Sequence, residues 1–197
     1  MLAGEGNAAP PVLYAYGNLT LLQRQTVALL SSGEESRAVL ERTAALAGEY
    51  ARAGMVLVAG HNRPGYRAAV AASKASGGGR VLVLDCGLAR AFGGELDRDL
   101  GATARVWGYS FEPETTLALS PYPLPATFAG LQNRRRDRHV ALLADRIIAV
   151  AIRCGGVMEG ECRAARARGQ MVLVYAGADA LEGNHLLLAD GFPPLDG

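Results

Sequence analysis

The sequence predicts an α/β fold: a three-layer, doubly wound and mostly parallel sheet with helices on both faces. Short apolar runs of strand length alternate with longer segments in which apolar residues recur at helical spacing. Glycines or small polar residues follow most of the runs, as they do at strand-to-helix turns. Half of the residues are hydrophobic, which is typical of a packed α/β protein and excludes a disordered chain.

The elements follow from these runs in chain order. Five continuous apolar runs predict strands that are covered on both faces: residues 26–30, 55–59, 80–84, 146–152 and 170–175. A short leading strand is expected at 12–16, and another at 116–119 within a long excursion over 101–132 that is rich in proline and aromatic residues. Helices are expected at 34–53, ended by Gly54, and at 64–73, 159–168 and from Arg136 to Asp145. The tail, 183–197, has too few apolar residues for another layer and is expected to lie against the sheet.

Bulk properties narrow the class of protein. A chain of 197 residues is expected to form a single domain over 1–197. The net charge of +1 argues against a nucleic-acid binder that uses its whole surface, so a basic site must be local. No apolar run approaches the roughly 20 residues of a membrane span, and the first residues lack a signal-peptide pattern. Three cysteines suit a reducing interior, so we expect a cytoplasmic protein.

The ligand crevice of an open parallel sheet lies beyond the carboxyl ends of its strands. The residues that follow the predicted strands there include Ser31 and Ser32, then Gly60, His61, Asn62 and Arg63, and finally Cys154, Gly155 and Gly156. Glycines and small hydroxyls at such turns let a phosphate approach the backbone closely. The alternative, that these glycines serve only steric needs, stays open.

A run of arginines, 134–138 with Asp137 inside it, opens a predicted helix. Cations at a helix N-terminus oppose the helix dipole, so Arg136 and Arg138 are candidates for binding an anion, above all phosphate. Arg63 would face the same crevice. The alternative is a solvated helix start in which the arginines pair with Asp137.

Other polar residues at strand ends carry weaker signals. His61, Cys86 and Cys154 lack the close spacing of metal ligands, so the sequence predicts no metal and small buried cysteines. Glu159 follows the glycine turn and is best explained by the positive end of a helix, with a catalytic carboxylate as the minority interpretation. No cofactor is predicted.

Five segments, taken together, resemble the DNA-processing protein DprA (Smf) family over nearly the whole chain. They are LYAYGNL from Leu13, VLVLDCGL from Val81, LSPYP from Leu119, RDRHVALLAD from Arg136 and GNHLLLADG from Gly183. Their order and spacing carry the resemblance. Where that family has GSR after its first strand, this chain has Ser31, Ser32 and Gly33, and Tyr66 stands where the family has aspartate.

The resemblance implies a Rossmann-like protein, not an ordinary enzyme, that binds single-stranded DNA through backbone phosphates. It also implies a homodimer that loads the recombinase RecA. Arg63, Arg136 and Arg138 would pair with phosphates, and Tyr66, Tyr109 and Phe128 are candidates for base stacking. The full set of candidate binding residues is Ser31, Ser32, Gly60, His61, Asn62, Arg63, Arg136, Arg138, Gly155, Gly156, Glu159 and Asn184.

Two alternatives remain open at this stage. The first is a small-nucleotide binder or phosphoribohydrolase of the lysine-decarboxylase-like (LOG) group, because residues 155–161 partly echo that group's PGGxGTxxE motif. The second is a degenerate scaffold used for protein contacts, for which an exposed apolar patch near residues 107–111 would be the sign.

Overall fold

A computed structural model describes residues 12–32, 35–92, 111–128, 130 and 132–195 of the chain. These residues form one sheet, a short 3₁₀ helix (Leu19–Gln23) and the helices of an α/β protein. The strands are β1 (Tyr14–Gly17), β2 (Thr26–Ser31), β3 (Val56–Ala59), β4 (Arg80–Val83), β5 (Thr116–Ser120), β6 (Arg146–Ala151) and β7 (Met171–Val174). The helices are α1 (Arg37–Arg52), α2 (Pro64–Ala75), α3 (Leu88–Phe92), α4 (Gln132–Leu143), α5 (Val157–Ala167) and α6 (Glu182–Ala189).

The strand order in the sheet is β1-β5-β4-β3-β2-β6-β7. All neighbours are parallel except β1, which runs antiparallel to β5 at one edge. The chain moves outward from β2 through β3 and β4 to β5, then returns to place β6 on the other side of β2. The carboxyl ends of β2 and β6 therefore form the switch point at which such sheets hold ligands.

Helices cover both sides of the sheet, as predicted. α1 packs on α2, and α4 packs on α5. Because parallel crossovers are right-handed, the reversal of direction at β2 places these two pairs on opposite faces. The central strands β2 to β6 are almost wholly buried between them, which explains why their sequences are continuously apolar.

The predicted strands are confirmed with small shifts at their ends, but two other predictions are wrong in part. The helix expected to open at Arg136 begins at Gln132, so Arg136 lies one turn inside it. The tail lies against the sheet as predicted, but it does so through a helix that was not predicted, α6, whose Leu187 is fully buried against the core. The buried Leu187 and the partly buried Leu188 are enough because only one face of α6 packs on β6 and β7.

The aromatic excursion is described only in part, since 93–110 lie outside the described residues together with Tyr109 and most of the patch at 107–111. Its last residue, Phe111, is buried and stacks on Tyr16 at a centroid distance of 5.3 Å, with Phe92 edge-on to both. These rings close the core beneath the edge strand β1. Within the described part of the chain, no helix is both long and apolar enough to cross a membrane.

Candidate functional site

The turns that follow β2 and β6 meet at the switch point. The Ser32 backbone N–H donates to the Ala151 carbonyl at 2.7 Å, which extends the β2–β6 pairing beyond the strands. A Cβ placed on Gly156 would lie 3.8 Å from Ser32 Oγ, in ordinary contact. We call these two segments, Ser31–Ser32 and Arg153–Gly156, the switch-point turns. Two turns from strands adjacent in the sheet thus lie side by side, as the sequence predicted.

Ser31 and Ser32 use their hydroxyls differently. Ser31 Oγ donates to the carboxylate of Glu35, so its hydrogen is already engaged. Ser32 is only 8 % exposed, and its Oγ has no hydrogen-bond partner among the described residues. A buried hydroxyl without a partner loses solvation and gains nothing in return, so it favours an acceptor brought by a ligand.

The glycine turn after β6 has the geometry of a phosphate turn but already carries an anion from the protein. Gly155 has a φ of +68°, which disfavours other residues, and Gly156 caps the N-terminus of α5. The Gly155 N–H donates to Glu159 Oε2 at 2.7 Å. Hydrogen bonds from Arg163 and then from Gly155 lower the pKa of Glu159 below its ordinary value. The expectation that Glu159 contacts a ligand is therefore corrected: its carboxylate is a partner of the turn itself.

A second internal carboxylate lies at the neighbouring helix start. The Gly65 N–H, in the first turn of α2, donates to Glu35 Oε2 at 2.8 Å, and the other oxygen of Glu35 accepts from Ser31. The N-termini of α2 and α5 are thus each neutralised by a glutamate, as the helix dipole favours. A phosphate entering here must compete with these groups or use the donors that they leave.

Arg136, the residue that the sequence argument favoured most for phosphate, is fully buried at 0 % exposure. Its guanidinium donates to Asp85 Oδ2 at 2.8 Å and to Asp137 Oδ1 at 2.9 Å, and also to the side-chain oxygens of Asn62 and Asn133. We call Asn62, Asp85, Asn133, Arg136 and Asp137 the Arg136 cluster. Two buried carboxylates and two amides leave the guanidinium no face for a ligand. The assignment of Arg136 to phosphate binding is therefore wrong.

Arg138 does not share the position of Arg136. Residues two apart on a helix point roughly 200° away from each other, so the two arginines cannot face one pocket. Arg138 is half-buried and makes interactions within the protein, whereas Arg134 and Arg135 are exposed. The pairing of Arg136 with Arg138 against one anion, expected from a helix start at Arg136, fails because the helix begins a turn earlier.

The turn after β3 supports the Arg136 cluster rather than an open cradle. A Cβ on Gly60 would lie 2.7 Å from Arg136 Cδ, so glycine is required for the arginine to pack there. Tyr66 is buried and donates from Oη to Asp137 at 3.1 Å, and burial raises its pKa well above the ordinary value. Tyr66 therefore cannot stack on a base. Arg63 keeps a 32 % exposed side chain, 3.4 Å from Asp137, and is the one expected cation of this turn that solvent reaches.

His61, Asp85 and Cys86 meet at the carboxyl ends of β3 and β4. Their ligand-type atoms all lie within 4.8 Å of one another, and His61 Nε2 is 3.4 Å from Asp85 Oδ1. Burial lowers the pKa of His61, with Asp85 opposing and Arg136 adding to the shift. Burial, with Asp85 nearby, raises the pKa of the Cys86 thiol to about 11. From the sequence, His61 and Cys86 were grouped as strand-end residues and rejected as metal ligands because of their spacing, and Asp85 was not considered with them.

Asn184 is also buried at 0 % exposure, and its whole side-chain amide is used inside the fold. Its oxygen accepts from the Ile152 N–H at 2.7 Å, while its nitrogen donates to carbonyls of Ala149 and Tyr175. Asn184 thus fixes the end of β6 from behind the glycine turn. The expectation that it contacts a ligand is corrected to one of support for that turn.

Two organising residues, Glu35 and Asp85, were not anticipated from the sequence as partners of the site, whereas pairing of the arginines with Asp137 was the stated alternative. Asp85 follows a strand and Asp137 stands among arginines, which were signals for pairing. The contact of Glu35 with the Gly65 N–H has no local signal in the sequence, because Gly65 lies 30 residues further along the chain. Arg153 was also not among the candidates, although it is exposed on a switch-point turn beside Gly156.

Comparison with known proteins agrees with this architecture. The structure is similar to DNA processing protein A (DprA) from Streptococcus pneumoniae, at 24 % identity and a TM-score of 0.78, covering 95 % of this chain and 64 % of that one. It is also similar to the Helicobacter pylori DprA structure, whose description refers to a single-stranded DNA binding mode, at 19 % identity and a TM-score of 0.75, covering 95 % of this chain and 82 % of that one.

A more distant likeness is to a molybdenum cofactor binding protein from Rippkaea orientalis, at 16 % identity and a TM-score of 0.58, covering 88 % of this chain and 90 % of that one. At these identities the likenesses show the fold. Among curated proteins no sequence matches. The family model of DNA recombination-mediator protein A matches residues 2–192, nearly the whole chain, and the protein therefore belongs to that family.

Proposed function

We propose that this protein binds single-stranded DNA through its backbone phosphates at the switch-point turns. The observation that carries the proposal is the Ser32 hydroxyl, which is buried beside the Gly155–Gly156 turn and has no partner within the described ranges. A phosphate oxygen can accept from a serine hydroxyl and from free amides at the start of α5. Membership of a DNA recombination-mediator family and the DNA-binding relative from H. pylori support the choice of ligand.

Two arginines supply the positive charge in this proposal. Arg153 is exposed on the glycine turn itself, and Arg63 lies at the start of α2, whose Gly65 adjoins Ser31. A phosphate held between Arg63 and Arg153 would neutralise both guanidinium groups. Arg136 needs no such partner, because protein carboxylates already neutralise it. Phe128 is 50 % exposed near the ends of β3 and β4 and is available to stack on a base, as single-strand binders commonly require.

The experiment is fluorescence anisotropy with a labelled oligo-dT over a salt series. The logarithm of the affinity should fall with the logarithm of salt by about 0.7 per phosphate neutralised. Arg153→Glu and Arg63→Glu should weaken binding several-fold at low salt and reduce that slope by at least about one phosphate equivalent each. Ser32→Ala should weaken binding by the roughly 0.5–1.5 kcal/mol of one hydrogen bond with no change in slope.

The matched control is Arg24→Glu, the same charge reversal on an exposed arginine that precedes β2, at the amino ends of the parallel strands. It should bind as the wild type does. Equal loss in Arg24→Glu and Arg153→Glu would show that net charge, not the switch point, determines binding. Displacement of the oligonucleotide by free mononucleotide at similar concentration would instead favour a small-nucleotide binder.

Two further predictions from the family resemblance belong with this function. We propose a homodimer, which light scattering of the purified chain would test. We also propose RecA as a partner, which a pull-down with purified RecA in the presence and absence of oligo-dT would test. A monomer that does not retain RecA under either condition would limit this chain to DNA binding alone.

A further inference from the structure

We propose that His61, Asp85 and Cys86 form a zinc site at the carboxyl ends of β3 and β4, separate from the switch-point turns. The proposal rests on the three side chains that the fold brings together there, whose nitrogen, oxygen and sulfur atoms lie within 4.8 Å of one another. Imidazole, carboxylate and thiolate are the ligand types that zinc takes in proteins. Harder cations such as Mg²⁺ and Ca²⁺ take oxygen ligands, so the sulfur favours zinc.

The separations suit one metal ion better than a hydrogen bond. His61 Nε2 and Asp85 Oδ1 are 3.4 Å apart, which exceeds the roughly 2.7–3.2 Å of an ordinary hydrogen bond to oxygen. A tetrahedral zinc with bonds of about 2.0–2.3 Å holds its ligands roughly 3.3–3.7 Å apart. His61 and Asp85 therefore already stand at the distance that a shared zinc requires.

The Arg136 cluster supplies the outer partners that orient metal ligands. Asp85 presents Oδ1 to His61, while its other oxygen accepts from Arg136 at 2.8 Å and from the Asn62 amide at 2.9 Å. These bonds fix the carboxylate with one oxygen directed at the site, as outer hydrogen bonds do for many metal-binding carboxylates. Arg136 also forms an ion pair with Asp137. Its positive charge is therefore balanced without Asp85, whose carboxylate can bind a metal cation.

The site also has room for a fourth ligand. His61, Asp85 and Cys86 line a pocket of about 600 Å³, whose other walls include Arg90 and Phe128. Three protein ligands with one position open to a pocket is the arrangement of zinc sites that bind a water or a small molecule, whereas structural zinc sites have four protein ligands. Among the described residues, no fourth His, Cys, Asp or Glu joins the group.

The test is metal binding by the chelator-treated, full-length chain. Calorimetric titration with zinc chloride should show one zinc per chain, and substitution by Co(II) should produce the absorption bands of a thiolate-bound, tetrahedral ion. Cys86→Ser should abolish the thiolate-to-cobalt band. It should also weaken zinc binding by more than the roughly 10–100-fold that loss of an outer partner costs.

Cys154→Ser is the matched control, because Cys154 is exposed on a turn outside the trio. It should leave the cobalt spectrum and the zinc affinity unchanged. His61→Gln serves as a second variant should Cys86→Ser fail to fold, which circular dichroism would reveal, and it should weaken zinc binding as strongly. Absence of the thiolate band in the wild type, or its persistence in Cys86→Ser, would overturn the proposal. Because DNA binding is measured separately, failure of either proposal leaves the other standing.

Discussion

The Arg136 cluster and the switch-point turns lie at the same edge of the sheet, and both consist of polar residues that follow or adjoin strands. In the Arg136 cluster every donor of the arginine has a partner from the protein, and solvent does not reach it. At the switch-point turns a serine hydroxyl has none in the described chain, and the neighbouring arginine, Arg153, is exposed. Charged side chains that cluster beside a ligand crevice therefore need not point into that crevice.

The reason lies in the cost of burying charge. A guanidinium taken out of water is stable only if carboxylates and amides satisfy it, so a buried arginine takes up the polar groups around it. Apart from the exposed Arg153, the switch-point turns are built from backbone and small side chains, which need little compensation. Their two nearby glutamates, Glu35 and Glu159, neutralise helix starts and leave other donors available. Buried charged residues therefore organise the site, and small polar residues, together with the exposed Arg153 and the part-exposed Arg63, are left to meet a ligand.

Among the substitutions proposed, Arg136→Ala should reduce the stability of the fold most. The variant leaves the buried carboxylates of Asp85 and Asp137 without their cation, which should lower the free energy of unfolding by about 3–5 kcal/mol. Urea unfolding followed by circular dichroism measures it. Arg134→Ala, an exposed arginine on the same helix, should be close to neutral. If Arg136→Ala kept wild-type stability and lost only DNA affinity, Arg136 would be a DNA-binding residue and the two regions would not differ in role.

A smaller loss is expected from Asn184→Ala, which tests the support behind the glycine turn. The substitution leaves the buried Ile152 N–H without an acceptor, at a cost of about 1–3 kcal/mol. Thermal or urea unfolding would show the loss, and His185→Ala on the exposed side of α6 is the control. Unchanged stability would mean that the turn after β6 does not depend on α6, and a ligand role for Asn184 would reopen.

The smallest effect is expected from Glu159→Gln, which removes the charge that already occupies the Gly155 N–H. We expect oligo-dT binding to tighten a few-fold, because an incoming phosphate then meets a neutral amide in place of a carboxylate. Glu182→Gln, in the first turn of α6, should leave binding unchanged. Weaker binding in Glu159→Gln would mean that the glutamate shapes the turn for DNA rather than competing with it.

The same variant has a pH signature. Because the folded pKa of Glu159 lies below its ordinary value of 4.5, its carboxylate stabilises the fold above that pH. The contribution disappears as the pH falls through the lowered pKa. Glu159→Gln should therefore have a lower free energy of unfolding than the wild type at neutral pH. The difference should disappear in acid. An equal difference at both pH values would assign the effect to packing.

Much of the fold could be predicted from the sequence, because the signals are local. Each central strand is a continuous apolar run, and Gly54 ends the helix that precedes β3, as its positive φ of 83° explains. The start of α4 was misplaced because the polar residues Gln132 to Arg135 show no apolar periodicity. The helix α6 was missed because its apolar contribution to the core is small. The prediction of turns at the carboxyl ends of the strands was correct in place, and the roles given to Arg136, Glu159 and Asn184 were not.

The order of the strands along the chain, most of the helices and the family follow from the sequence, since apolar periodicity, turn residues and motif order are properties of neighbouring residues. Which polar groups form hydrogen bonds and ion pairs with one another depends on the tertiary structure. Arg136 meets Asp85 across 51 residues of chain and Asn62 across 74, because β3 and β4 are neighbours in the sheet and α4 crosses their ends. The order of strands in the sheet, not distance along the sequence, determines which of these residues are in contact. Because the pairs are buried, breaking them costs much stability.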